Sequence, residues 1–449
     1  MKPAARRAVF TQGSIMRHVL SMTAAGSIGL MAVFSVELLT LIYVSRLGDP
    51  TLTAAVGFMT QLQFFVTALH IGLAIAVGAI VARALGAGKR DRARRQAGAS
   101  VLLGIVLAVV ATALILPVRR EILGLFGARG EALDIAANLV LIVLPANVFF
   151  SIGMSFAAIL RAAGDARRSM YVTLFGGLAT AVADPLLIFA LGFGVYGAAI
   201  AIVLSRLVFA AVGWWGAVRE HELVGMPQAV ALKADLAAIM TIAAPAVLTN
   251  VATPVGQSYA MRVFAGFGEQ AVAAFAMIDR IVPVAFGVLF ALSGSVGPIM
   301  GQNFGAGQHE RVRRVLTDCL TVTVVYVAAI WLVLWLGGPV VVWLFDAQGE
   351  TAQILRFFTS WGVLTWFFLG GLFVANAAFN NLGFPLLSTA FNWGRATLGT
   401  IPFVTLGAQW GGPEGGIAGM VFGAALFGLG AVVVAFWVVA GLAKRAAAD

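Results

Sequence analysis

The sequence predicts an all-α fold, a polytopic membrane protein with about twelve transmembrane helices. Of its 449 residues, 61% are hydrophobic and only 11% are charged, whereas a soluble domain carries roughly a quarter charged residues. The hydrophobic residues are gathered into long runs, and a transmembrane helix needs about 20 of them. A basic segment that contains two glycines also occurs twice, far apart in the chain.

The apolar runs give the expected spans in chain order, separated by short polar loops. They fall at residues 19–44, 51–81, 97–116, 131–158, 170–191, 195–217, 237–264, 270–300, 315–336, 351–379, 386–406 and 415–441. The basic N terminus leads into the first run, which is too long for the apolar region of a cleaved signal peptide. We therefore expect an uncleaved first span.

Basic residues are distributed unevenly between the loops. With the N terminus inside, about 20 of the 29 lysine and arginine residues lie in the even-numbered loops and the two termini. The N-terminal tail contributes Lys2, Arg6 and Arg7. Because cytoplasmic loops carry an excess of basic residues, this bias predicts that both termini are cytoplasmic. It also accounts for the net charge of +10 without a nucleic-acid partner.

The basic segment ARALGAGKRDRARR (82–95) returns downstream as GQNFGAGQHERVRR (301–314). Gly305 follows Gly86 by 219 residues (305 − 86). The same offset relates two further glycine pairs, Gly164 with Gly383 and Gly197 with Gly416. A shared offset indicates a duplicated unit of about six spans, and an even number of spans makes the two copies parallel. Parallel repeats are typical of secondary transporters.

The duplication divides the chain into two predicted bundles of six helices. The first bundle covers residues 1–217, a cytoplasmic linker covers 218–236, and the second bundle covers 237–449. The glycines of the repeated segment are expected to end long helices as C-caps, at Gly86–Gly88 and Gly305–Gly307.

Several function classes are excluded by what the chain lacks. The repeated segment has no Gly-Lys-Ser/Thr ending, so it is not a nucleotide-binding phosphate loop, and an ion gradient must supply the energy. The lone Cys319 excludes an internal disulfide, and four separate histidines form no metal-ligand cluster. No nucleophile–base pair stands out, so we expect no enzyme, no catalytic residue, no metal site and no cofactor.

The segments SRLGDPTLTAAVGF, ARALGAGKRDRARR, LRAAGD, DPLLIF and GQNFGAGQHERVRR together resemble those of the multidrug and toxic compound extrusion (MATE) transporters. The resemblance implies two six-helix bundles that form a V-shaped cleft, and export of organic cations in exchange for protons or sodium ions. Other branches of the same superfamily flip lipid-linked sugars. The resemblance also implies a monomer.

Ionisable residues inside spans are costly, so each is a candidate functional residue. Glu37 in the first span and Asp184 in the fifth lie at similar predicted depths, which allows a shared proton and cation site. A carboxyl group in a low-dielectric site can bind and release a proton near physiological pH. Proton-coupled relatives carry an aspartate where this chain has Thr40, and Glu37 lies one turn earlier.

In five spans, polar residues recur at helical spacing, which indicates a helix face that contacts water or protein rather than lipid. In the first half, Asn147 and Thr180 belong to such stripes and join the candidate site. His70 lies on another stripe, and we interpret it as a packing residue. Helix–helix hydrogen bonds are the alternative explanation for any single stripe.

The second half offers its own candidates. Gln257 follows Thr253 by one turn in the seventh span, and Asp279, Arg280 and Arg395 are ionisable residues within spans. We expect Asp279 to pair with Arg395 or Arg280. Sodium-coupled relatives carry carboxylates near the positions of Thr253 and Leu369, so their sodium site is not expected here.

The sequence therefore predicts an antiporter that exports organic cationic or lipophilic small molecules by alternating access, driven by proton influx. A lipid-linked sugar flippase and a sodium-coupled exporter are the alternatives. We expect the protein in the bacterial cytoplasmic (inner) membrane, with membrane lipids as its surroundings.

Overall fold

The computed structural model describes residues 8–448, and every regular element within that range is helical. Lys2, Arg6 and Arg7, which contributed to the topology prediction, lie outside it. The helices of the first half are α1 (Ile15–Ser45), α2 (Pro50–Gly86), α3 (Arg90–Ile115), α4 (Arg119–Leu125), α5 (Gly130–Val143), α6 (Asn147–Ala162), α7 (Ala166–Pro185) and α8 (Gly194–Trp214). Wider π-helical turns extend α7 and α8 over Leu186–Ala190 and Trp215–Glu220.

The second half repeats this order with small differences. Its helices are α9 (Ala229–Ala265), α10 (Glu269–Gly305), α11 (His309–Leu336), α12 (Gly338–Leu344), α13 (Gly349–Ser360), α14 (Thr365–Leu382), α15 (Pro385–Gly394) and α16 (Ile401–Ala448). A π-helical turn at Arg395–Gly399 connects α15 to α16.

The number of spans in the described residues agrees with the predicted twelve. Ten helical segments are long and apolar enough to cross a membrane, and α5 with α6 makes an eleventh, bent by 53°. Pro145, which cannot donate a backbone hydrogen bond, lies at this bend. The long α16 supplies the twelfth span, because its backbone leaves helical geometry at Gly411 and Gly412.

Gly411 and Gly412 form a turn between two antiparallel helices. The φ angle of Gly412 is +62°, a left-handed value that favours glycine. The segments before and after the turn lie in close contact. A Cβ at Gly419, after the turn, would overlap the carbonyl of Phe403 before it, and a Cβ at Gly423 would overlap the carbonyl of Gly399. The two parts of α16 are therefore packed backbone against backbone through small residues.

Helix boundaries reproduce the 219-residue offset found in the sequence. Four pairs of helices begin at positions related by it: α2 with α10, α3 with α11, α4 with α12, and α5 with α13. Gly88 and Gly307 both have φ of +71° immediately after α2 and α10. The prediction that these glycine segments end long helices is thus confirmed.

Contacts divide the chain into two compact units. Among the described residues, the first contains Ala24–Val247, and the second contains residues 248–448 together with Phe10–Thr23. The helices α1 and α9 therefore each contribute residues to both units. The bundle boundaries at 217 and 237, which come from the duplication alone, stay a prediction.

Candidate functional site

The site in the first unit is built around Asp184, near the end of α7. Its side chain is fully buried, and its Oδ2 accepts a hydrogen bond from the hydroxyl of Thr40 on α1. The Thr40 hydroxyl also lies 3.0 Å from the backbone carbonyl of Val36, so its single proton is shared between this carbonyl and the carboxylate. Among the described residues, no group donates to Asp184 Oδ1, which is also buried. One carboxylate oxygen is thus held and the other is open to a proton, a water or a cation.

Proline places this carboxyl group at an irregular point of the helix. Pro185 follows Asp184 and has no N–H, and the chain then widens into the π-helical turn Leu186–Ala190. The ring of Phe189 in this turn meets Tyr43 of α1 edge-on at 5.9 Å between centroids. Two independent contacts, one polar and one aromatic, therefore hold α1 against the end of α7.

Small residues bring α1 and α7 together below the site. A Cβ at Gly29 would overlap the Thr173 side chain, and one at Gly177 would lie 3.5 Å from the carbonyl carbon of Ala32. Gly29 thus leaves room for the Thr173 side chain, whereas a Cβ at Gly177 would make only an ordinary contact with Ala32. The short Thr40 side chain reaches Asp184 across this narrow interface.

Glu37 is not part of the Asp184 contact. Its side chain is exposed, and no hydrogen bond joins it to Asp184 in the part of the chain that the structure describes. It lies one turn before Thr40 on α1, as the sequence indicated. The structure thus brings Thr40 and Asp184 together, and the role of Glu37 stays a prediction.

A buried polar cluster lies on α2 and α6 of the same unit. Asn147 Nδ2 donates to Gln63 Oε1 at 3.1 Å. Three further polar atoms in this cluster are buried without a partner among the described residues: Asn147 Oδ1, Gln63 Nε2 and Ser151 Oγ. Buried polar groups in native proteins are nearly always hydrogen-bonded, so this cluster can accommodate water or a ligand.

Among the other polar residues of the first unit, Thr180 and Arg206 are hydrogen-bonded to backbone carbonyls, whereas both ring nitrogens of His70 are buried without a hydrogen-bond partner among the described residues. Thr180, one turn before Asp184, donates to the carbonyl of Gly176 at 3.4 Å. Arg206 donates to the carbonyl of Val143 at 2.6 Å, and its guanidinium lies 5.5 Å from the ring centroid of Phe150. His70 packs edge-on against the same ring at 5.8 Å.

In the second unit, Asp279 forms no close ion pair with either predicted partner, and its interaction with Arg280 stays a prediction. Among the ion pairs of residues 8–448, none joins Asp279 to Arg395 or Arg280. Arg395 instead donates from Nη2 to Thr253 Oγ1 at 3.1 Å. Asp279 and Arg280 are consecutive on α10, and both are exposed.

The polar face of α9 continues beyond Thr253. Gln257, one turn later, is exposed, and Thr249, one turn earlier, lies 3.5 Å from Ser388 Oγ and 3.3 Å from Thr389 Oγ1. Exposed polar groups within an apolar span face protein or water rather than lipid.

Sequence analysis missed the amides of α14. Asn376 accepts a hydrogen bond from Asn392 Nδ2 at 3.0 Å, and Asn380 and Asn381 are also buried. The signal was present in the run NAAFNN, where three amides interrupt an apolar span. In the described residues, no three side chains of His, Cys, Asp or Glu lie close enough together to hold a metal ion.

Comparison with known proteins gives a consistent result. The sequence model of the MatE family matches twice, over residues 27–186 and 245–405, one match in each half. The chain is 26% identical over 410 residues to a Shewanella oneidensis protein named FAD transporter, a similarity that covers 89% of this chain and 90% of that protein.

Two further similarities concern proteins named for drug resistance or MATE transport. The chain is 26% identical over 309 residues to the probable multidrug resistance protein NorM of Thermotoga maritima, covering 68% of this chain and 66% of that one. The crystal structure of a point mutant of the Vibrio cholerae MATE transporter VcmN matches with a TM-score of 0.90 at 24% identity. This match covers 94% of this chain and 96% of that one.

Proposed function

Because the chain belongs to the MatE family of multidrug efflux (MATE) transporters, we propose that it exports organic, cationic or lipophilic compounds in exchange for protons. It is an integral membrane transporter of small molecules and not an enzyme. Export from a bacterial cell places it in the cytoplasmic membrane with both termini inside, as the distribution of basic residues favours. The proposed functional form is the monomer.

The buried carboxyl group of Asp184, held by Thr40, is the observation that carries the proposal. An ionised carboxylate at this depth requires compensation, because a charge within a span costs at least about 2.5–3.5 kcal/mol. The Thr40 hydroxyl supplies part of it, and a bound organic cation or a proton supplies the rest. Since a proton and a cation compete for the same carboxylate, binding of one releases the other, which is the exchange an antiporter requires.

The remaining polar groups of the first unit have supporting roles in this scheme. Gln63 Nε2 offers a hydrogen-bond donor and Asn147 Oδ1 an acceptor to an uncharged part of the substrate or to ordered water. Glu37 lies one turn from Thr40 and can relay the proton or bind the same cation. Thr180, one turn before Asp184 on α7, lines the same site.

A flavin nucleotide is the second candidate substrate. The Shewanella oneidensis relative is named FAD transporter, and FAD carries two negatively charged phosphate groups. In the second unit, Arg280 and Arg395 lie within spans, and neither forms an ion pair with a carboxylate among the described residues. These cations favour an anionic group, whereas Asp184 favours a cation. A lipid-linked sugar phosphate is the third candidate, because its phosphate groups could also bind to Arg280 and Arg395.

Transport in proteoliposomes tests these assignments. Uptake of ethidium and of FAD is measured separately under an imposed pH gradient and an imposed sodium gradient. The variants are Asp184→Asn, Glu37→Gln and Arg395→Gln, and the control is Glu131→Gln, a carboxylate in the first turn of α5. We expect pH-driven ethidium transport that Asp184→Asn abolishes and Glu131→Gln leaves unchanged.

Other outcomes assign the protein differently. Sodium-driven transport would overturn proton coupling. FAD transport that depends on Arg395 would establish the second candidate. Movement of neither compound under either gradient would favour the lipid-linked sugar flippase.

A further inference from the structure

An open apolar groove runs along the outer surface of the first unit between α7 and α8. It has a volume of about 650 Å³ and is lined only by apolar side chains, chiefly Phe175, Leu178, Val182 and Leu186 of α7 with Val208 and Val212 of α8. Phe175 and Leu186 are separated by about 16 Å along the helix, about half of the 30 Å hydrocarbon thickness of a bilayer. The groove therefore has the length of one membrane leaflet.

Arginine and aromatic side chains meet at one end of this groove. The guanidinium of Arg167 lies 5.6 Å from the ring centroid of Tyr171, and that of Arg219 lies 5.5 Å from Trp214. We call these four residues the headgroup cluster. The ring centroid of Tyr171 lies 5.5 Å from that of Phe175, which lines the groove. Arg168, at the start of α7, contacts Trp215 and Glu220 just after α8, so the start of α7 and the end of α8 lie together at this end of the groove.

The headgroup cluster carries uncompensated positive charge. Arg167 and Arg219 are exposed and form no ion pair among the described residues, although Arg167 Nε donates to the Tyr171 hydroxyl at 2.5 Å. The neighbouring Arg168 is different, because it stacks on Trp215 and is neutralised by Asp165 and Glu220 at 2.8 and 3.0 Å. Two such cations beside interfacial aromatic residues form a surface complementary to phosphate.

The second repeat provides an internal comparison. At the 219-residue offset, Arg167 and Tyr171 correspond to Leu386 and Ala390, and Trp214 corresponds to Val433. The fold therefore does not require the headgroup cluster, because the second repeat has the same fold and lacks these residues. This argues for a role in binding rather than in folding.

We propose that the groove and the headgroup cluster together form a binding site for an anionic phospholipid. One acyl chain lies in the groove between α7 and α8, and Arg167 and Arg219 bind the phosphate. The lipid belongs to the leaflet on the side where α7 begins. This site is separate from the transport site at Asp184 and does not depend on the proposed substrate.

Native mass spectrometry of the full-length protein in detergent tests the proposal. The protein is titrated with dioleoyl phosphatidylglycerol and, separately, with dioleoyl phosphatidylcholine, which has the same chains and a zwitterionic headgroup. We expect the wild type to prefer phosphatidylglycerol by about ten-fold or more. The double variant Arg167→Gln/Arg219→Gln should lose this preference, and the control Arg92→Gln/Arg313→Gln, which removes two arginines of the repeated basic segments, should keep it.

The groove is tested by filling it with a larger side chain. Val208→Phe should lower the occupancy of both lipids, whereas Val325→Phe, on an exposed apolar face of α11, should not. Equal binding of the two lipids to the wild type would overturn the proposal, as would a preference that survives in Arg167→Gln/Arg219→Gln. Displacement of phosphatidylglycerol by inorganic phosphate would also overturn it, because it would indicate a free-anion site. The wild-type comparison stands even if a variant fails to fold.

Discussion

Thr40 and Asp184 lie on different helices, 144 residues apart in the chain, and the threonine hydroxyl donates a hydrogen bond to the buried carboxyl group. A hydroxyl can stabilise an ionised carboxylate without adding a second negative charge. The pair therefore allows one carboxyl group to exchange its proton in a span where two would repel each other.

Thr40→Val should impair transport without unfolding the protein. A hydrogen bond to a charged group is worth about 1.5–3 kcal/mol, so loss of this donor should slow proton-driven transport by about ten-fold or more. Thr40→Ser, which keeps the hydroxyl, should retain most of the activity. Initial rates of ethidium transport in proteoliposomes measure the effect, and equal rates for the valine and serine variants would contradict the role assigned to Thr40.

Asp165, in the loop before α7, should make stability depend on pH. Burial favours a higher pKa for Asp165, but hydrogen bonds from His221 and from the backbone and side chain of Arg168 outweigh it and hold the pKa well below its usual value. A lowered pKa in the folded state means that this carboxylate stabilises the fold above the ordinary aspartate pKa of about 3.9. That contribution is lost as the pH falls from this value towards the folded pKa.

We therefore expect Asp165→Asn to lower the free energy of unfolding at pH 7 by about 1–3 kcal/mol. The difference between wild type and variant should shrink below about pH 4. Chemical unfolding in detergent across pH measures it. Asp134→Asn, which breaks the exposed pair with Arg120, is the control and should change little at any pH. A pH-independent loss for Asp165→Asn would show that the carboxylate charge is not responsible.

Phe209 should make Gly176 intolerant of any side chain. A Cβ at Gly176 would overlap the ring of Phe209, whereas a Cβ at Gly78 would have nothing within 4 Å. We expect Gly176→Ala to destabilise the protein by about 1–3 kcal/mol through overpacking and Gly78→Ala to be tolerated. Combining Gly176→Ala with Phe209→Leu should recover part of the loss, and additive losses in a double-mutant cycle would refute the contact.

Arg311 should hold the N-terminal segment in place. Its guanidinium donates to the carbonyls of Phe10 and Gly13 at 2.8 and 3.0 Å, and to Asn303 Oδ1 at 2.8 Å. Arg311→Gln should therefore speed amide hydrogen exchange at residues 8–14. Arg92→Gln, at the matching position of the first repeat, should leave that exchange unchanged, and identical exchange in the two variants would rule out this anchoring.

The sequence was sufficient for the spans and the duplication because both depend on local properties. Runs of about 20 apolar residues are a strong signal, and the starts of α2 and α10 differ by the same 219 residues as the repeated segments. The breaks were harder to predict. The turn at Gly411–Gly412 lies among other glycines, and only its left-handed backbone distinguishes it.

The sequence identified residues of the site but did not predict which of them are in contact. Asp184 and Thr40 were both identified, yet spacing along a helix does not determine which residue on another helix it meets. Asp279 and Arg395 show the same limit, since similar depth suggested a pair, whereas Arg395 donates to Thr253 and forms no ion pair with Asp279. The α14 amides were missed because uncharged polar residues are common in spans.

Proton release on substrate binding tests the central claim most directly. Purified protein in weakly buffered detergent solution is mixed with ethidium, and a pH-sensitive dye reports released protons. If Asp184 exchanges a proton for a cation, the wild type and Glu131→Gln will release protons on binding and Asp184→Asn will not, with ethidium binding measured in parallel. Undiminished release from an Asp184→Asn variant that still binds ethidium would contradict the account and place the exchanging proton on another group.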